Sequence, residues 1–159
     1  MGGEAGRGAV AAAKADCIVS ANFCPEFCQP DYAFFTNSKR FEKLDLAALP
    51  CPVVLTSNLR PLPQGALAVN YDRLAAPDVQ NASLGSNSVL MLLRLLRLCG
   101  AKAVLLAGAD GYKPGTPAYA DSLLHAHTGR GAAFNTAMAG AIKACGLDVT
   151  FITPSEYAK

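Results

Sequence analysis

The apolar positions of this chain fall into short runs separated by polar or Gly/Pro-bearing stretches, and the length of each run tells which element it forms. Cys17–Ala21, Tyr32–Thr36, Pro52–Ser57 and Ala66–Asn70 are each strand-length, and several are bounded by Asn, Pro or Gly. They predict four strands. Between the second and third, residues 38–49 mix charged and apolar positions and predict a short helix, which ends before Pro50 because proline pushes its predecessor out of the α region.

A longer unbroken pattern runs from Gly85 to Tyr119. Ser86 and Asn87 are cap-type residues, and Val89, Leu90, Leu92, Leu93, Leu95, Leu96 and Leu98 carry a helix with Arg94 and Arg97 on its wet side. Gly100 stops it. Ala103–Ala107 then predicts a strand apolar on both faces, followed at its carboxyl end by the loop Gly108-Ala109-Asp110-Gly111-Tyr112. The closing third repeats this logic. Residues 131–145 form an Ala-rich pattern with Phe134, Met138 and Ile142 at helical spacing, Gly146 stands at a C-cap position, and Leu147–Thr153 predicts a last strand ended by Pro154.

This alternation predicts an α/β fold: a Rossmann-like, three-layer domain whose mostly parallel sheet has about five or six strands. Residues 1–14, rich in Gly and Ala, are expected to be a flexible leader, frayed or weakly helical, and residues 15–159 a single domain. Composition agrees. Of 159 residues, 52% are hydrophobic and 16% charged, which suits a parallel sheet covered on both faces. The net charge of +2, with no long Lys/Arg run, argues against nucleic acid as a partner. The longest bulky apolar run, Val89–Leu93, is broken by Arg94 and falls short of the roughly 20 residues that cross a bilayer, so no membrane association is expected. With no secretory h-region, the cytoplasm is the expected location.

Cysteines stand at positions 17, 24, 28, 51, 99 and 145. Cys24 and Cys28 lack the second close pair of a zinc site, so no metal is expected, and Cys17, Cys99 and Cys145 read as small hydrophobes beside apolar elements. The glycines at 2, 3, 6 and 8 follow no strand and are no phosphate loop, and no G-x-x-x-x-G-K-[ST] or G-x-S-x-G occurs.

The candidate chemistry is a recurrence. Asn22, Asn37, Asn58 and Asn70 each follow a predicted strand, and parallel strands would bring all four to one crevice. An amide both donates and accepts without charge, as a base or ribose requires; asparagine also simply tolerates turns. Lys39 and Arg40 follow Asn37 and suit a phosphate or carboxylate. Asp110 is placed to accept from sugar hydroxyls or to cap its own turn, and His125 and His127 are candidate general acids or bases.

Three stretches together carry a resemblance: residues 31–41 (DYAFFTNSKRF), the helix followed by Gly108-Ala109-Asp110-Gly111-Tyr112, and residues 152–157 (ITPSEY). They resemble the C-terminal domain attached to HMG-CoA lyase-like aldolase barrels in some bacteria, over about residues 15–157. The barrel and its metal-binding residues are not part of this sequence. The resemblance therefore implies a module accessory to an aldolase. More distantly, the layout is similar to Rossmann-like sialyltransferases that use CMP-sialic acid. That similarity implies nucleotide contacts at Asn22 and Asn37, a helix-opening donor-side loop at Gly85-Ser86-Asn87-Ser88, phosphate-side tyrosines at Tyr112 and Tyr119, and His125 or His127 as base. Three readings result: a nucleotide or nucleotide-sugar binding module whose ligand is a cytidine or other nucleotide; a CMP-sugar-dependent transferase; and a non-catalytic module that forms homo-oligomers.

Overall fold

A computed structural model describes residues 4–22, 28–42, 45, 49–75, 82–113 and 131–159. Tyr119, His125 and His127 lie outside the described residues. The architecture is α/β with parallel strands, four in one sheet and two in another. Two compact units divide the chain, one of residues 14–99 and one of residues 1–13 with 100–159.

In chain order the elements open with α1 (Glu4–Ala12), which belongs to the second of these units. The 14–99 unit holds β1 (Val19–Ala21), β2 (Tyr32–Phe35), α2 (Ser38–Phe41), β3 (Val53–Thr56), β4 (Leu67–Val69), α3 (Tyr71–Leu74), α4 (Ala82–Gly85) and α5 (Ser88–Leu98). Its sheet runs β1-β2-β3-β4, every neighbour parallel, with Ala21 beside Phe34, Phe35 beside Leu55 and Thr56 beside Val69.

Strand alternation explains how this sheet is covered. Successive side chains point to opposite faces, so Ala33, Phe35, Val53 and Leu55 pack with Phe41 of α2 and Leu59, while Phe34 and Val54 pack with Leu74 of α3 and Met91 and Leu92 of α5. The result is three layers. Phe34, Phe35, Leu55 and Met91 are fully enclosed, which is why these strands read as continuous apolar runs in the sequence.

Helix α5 begins and ends as its sequence dictates. The Asn87 side-chain oxygen accepts from the backbone N–H of Val89 at 2.9 Å and of Leu90 at 3.3 Å, satisfying two of the helix's orphan donors. Past its carboxyl end Gly100 takes φ +91°, a left-handed conformation that suits glycine and ends the helix. One expectation is corrected. Arg94 does not stand on a wet face with Arg97: it is half-buried, and its Nη1 donates to the Leu74 carbonyl at 2.6 Å and the Gly85 carbonyl at 3.1 Å. Those are the last residues of α3 and α4, so one guanidinium caps the carboxyl ends of two short helices. Arg94→Ala should therefore cost about 1–2 kcal/mol, because both carbonyls lose a charged donor. The urea midpoint checks this, against a smaller shift for the exposed Arg97→Ala.

The other unit pairs β5 (Ala103–Leu106) with β6 (Asp148–Phe151) in parallel, with α6 (Ala132–Lys143) between them in sequence and a one-turn 3-10 helix, Glu156–Ala158, after them. Phe134, Met138 and Ile142 of α6 are buried, as their spacing predicts. β5 differs from expectation: Val104 and Leu106 are half-buried, whereas Ala103 and Leu105 are exposed, so it is not covered on both faces. Among the described residues no helix is long and apolar enough to cross a membrane.

Candidate functional site

Parallel pairing brings the ends of β1, β2, β3 and β4 to one edge of the four-stranded sheet, so the four asparagines do line a single edge. Their roles there differ. Asn70 is the N-cap of α3, its side-chain oxygen accepting from the Arg73 N–H at 3.1 Å. Asn58 donates from Nδ2 to the Thr36 carbonyl at 3.3 Å, tying the end of β3 to the end of β2. Asn37 occupies the N-cap position of α2 without a side-chain cap bond and is exposed. Asn22 is the exception among them.

The Asn22 backbone stands at φ +69°, a left-handed conformation that asparagine tolerates better than most residues. It is held there by its N–H, which donates to the Phe34 carbonyl at 2.9 Å. Its side-chain Oδ1 is buried and accepts no hydrogen bond. Leaving a buried acceptor empty costs about 1–3 kcal/mol, so this atom stands out along an edge where neighbouring polar groups are matched.

The matching is done by hydroxyls, and those of Thr36, Thr56 and Ser57 are ones that the sequence does not single out. Thr56 is fully buried and donates from Oγ1 to the Phe35 carbonyl at 3.3 Å; Ser57 Oγ accepts from the Tyr71 N–H at 3.0 Å. Thr36, also buried, shares a hydrogen bond of 2.9 Å between its Oγ1 and Ser88 Oγ, in the first turn of α5. The amino end of α5 is thereby fixed at the carboxyl edge of the sheet, beside the exit of β2. Asn87 spends its side-chain oxygen on its own helix, and Ser86, just before it, is exposed. Lys39 is exposed and Arg40 half-buried, both on α2, one turn beyond Asn37. The edge thus offers neutral hydrogen-bonding groups with two cations following β2.

Asp110 and Tyr112 belong to the other unit, where a different construction appears. The Gly108 N–H donates to Thr153 Oγ1 at 2.9 Å, Ser155 Oγ donates to the Ala109 carbonyl, and the Glu156 N–H donates to the Asp110 carbonyl at 2.8 Å. Asn135, buried on α6, completes the clamp: its Oδ1 accepts from the Tyr112 N–H at 3.0 Å and its Nδ2 donates to the Tyr112 carbonyl at 2.8 Å. One amide imitates a neighbouring strand. The Tyr112 ring meets Phe134 edge to face, with centroids 5.4 Å apart. Asp110 is therefore fixed by its backbone, with its side chain half-buried. Among the described residues no three His, Cys, Asp or Glu side chains are grouped to hold a metal ion.

No protein-family model, curated protein or solved structure matches the chain.

Proposed function

We propose that the carboxyl edge of the four-stranded sheet binds a nucleotide or nucleotide-sugar, and that the chain serves as an accessory module to an aldolase-type enzyme. The observation that carries the binding reading is Asn22 Oδ1, a buried acceptor without a donor at the edge where open α/β sheets take their ligands. An exocyclic amine or a ribose hydroxyl supplies the missing donor. Lys39 and Arg40 on α2 supply positive charge for the phosphates, and the exposed Asn37 beside them, which makes no cap bond, suits a base or sugar. Asn87 already caps the first turn of α5, so the phosphate is assigned to these cations in preference to the helix N–H groups. The link to an aldolase rests on the resemblance of residues 31–41, 108–112 and 152–157.

A thermal-shift series with CMP, CDP, UDP and nicotinamide nucleotides tests the binding reading. A ligand that binds only the folded chain adds about 2.7 kcal/mol at a hundred times its Kd, a shift of several degrees. At least one nucleotide is expected to raise the midpoint. Unmoved midpoints at millimolar concentration of every nucleotide would reject the reading.

A further inference from the structure

The 14–99 unit places two exposed cysteines where its chain enters and leaves. Cys17 lies just before β1, and Cys99 is the C-cap residue of α5 and the last residue of the unit. Both are free and exposed, contrary to the expectation that they pack as small hydrophobes. Cys145 is buried, as that expectation had it.

Helix geometry brings the two positions to the same edge. The Thr36–Ser88 hydrogen bond fixes the first turn of α5 at the carboxyl edge of the sheet. Its 11 residues, rising about 1.5 Å each, carry it back along the strands. Met91 and Leu92 share a buried cluster with Phe34 and Val54, and Leu95, Leu96, Val19 and Ala21 all pack against that cluster, so α5 and β1 meet on one face of the sheet. A helix of that length starting from the carboxyl edge runs toward the amino edge, where β1 begins. A second observation agrees: the Cys17 thiol is held above its ordinary pKa, first by partial burial, then by the carboxylate of Asp31 and by Cys99. Cys99 is thus near enough to act on the Cys17 thiol.

We propose that Cys17 and Cys99 are a redox pair, a modification site whose co-substrate is a small-molecule disulfide of the glutathione type. One cysteine thiolate attacks that disulfide, forming a mixed disulfide and releasing one small thiol. The second cysteine loses its proton and attacks the protein sulfur of the mixed disulfide, releasing the second small thiol. The protein loses two hydrogens and the oxidant is reduced to two thiols. The bond formed joins the two ends of the 14–99 unit.

The test incubates the full chain with oxidised glutathione at pH 8, blocks remaining thiols, and combines intact mass with a peptide map run without reductant. The expected product is a monomer that takes up two fewer blocking groups than the reduced chain, in which the Cys17 and Cys99 peptides are joined. It should form equally in Cys28→Ser and Cys51→Ser, whereas Cys17→Ser should keep a glutathione adduct on Cys99. Because the bond closes a long loop, the oxidised chain should melt at least about 5 °C higher than the reduced one, and reductant should reverse the gain. Separate glutathione adducts on Cys17 and Cys99 would overturn the pairing, as would a crosslink between two chains. A joined pair without the thermal gain would overturn its role as a staple.

Discussion

Gly111→Ala should destabilise the unit that carries β5 and β6 by about 3 kcal/mol, from two additive causes. Gly111 stands at φ +81°, where a residue with a Cβ costs about 1–2 kcal/mol. The added carbon would also lie 2.8 Å from the Cβ of Glu156, 3.2 Å from the Tyr157 ring and 3.3 Å from Asn135 Oδ1. None of these yields easily. Glu156 is tied through its backbone to Asp110, Tyr157 is buried, and Asn135 holds both polar groups of Tyr112, so the clash adds about 1–3 kcal/mol. Hydrogen exchange gives the cleanest readout, because it follows each unit separately where a single melting curve does not. Amides of 103–106 and 148–151 should lose protection in Gly111→Ala. A loss below about 0.5 kcal/mol, the ordinary range for a surface substitution, would mean that the loop is not clamped as described.

Phe34→Ala should be at least as costly to the other unit, at about 3–5 kcal/mol. Phe34 sits in a central strand with no exposed surface, and its ring fills the face on which α3 and α5 pack through Leu74, Met91 and Leu92. Removing it opens a cavity between two elements that meet through it. Leu105→Ala is the matched control: Leu105 is 42% exposed, so its truncation should cost less than about 1 kcal/mol. Hydrogen exchange, read separately in each unit, measures both. Equal losses for Phe34→Ala and Leu105→Ala would contradict the assignment of the core.

The elements themselves were legible in the sequence where burial is two-sided or strictly periodic. Ala33–Phe35 and Val53–Leu55 read as strands because the chain needs apolar groups on both faces, and Phe134, Met138 and Ile142 mark one stripe of α6. What joins the elements was not legible. Asn135 sits inside an Ala-rich helix pattern, and nothing local marks it as the group that holds Tyr112, because its partners are 23 positions away. Arg94 looks like any helix arginine until the ends of α3 and α4 are seen beneath it.

The strand-end asparagines show the same limit within one residue type. Their recurrence marks the edge, and parallel pairing places them there. Yet one caps a helix, one crosslinks two strand ends, one stands exposed, and only Asn22 keeps a buried oxygen empty. Backbone conformation assigns those tasks, and it is set by which helix follows each strand. The hydroxyls of Thr36 and Thr56 are not marked in the sequence, because Thr near a strand end carries no signal of its own.

The reading of the sheet edge as a nucleotide site stands or falls on Asn22 Oδ1. Calorimetric titration of the best nucleotide from the thermal series into the native chain and into Asn22→Gly tests it most directly. Glycine keeps the left-handed backbone and removes only the amide, so the variant should fold with nearly unchanged stability. The native chain should bind, and the variant should bind at least about tenfold more weakly, the equivalent of 1.4 kcal/mol for one lost hydrogen bond. Equal affinities for the native chain and Asn22→Gly would contradict it.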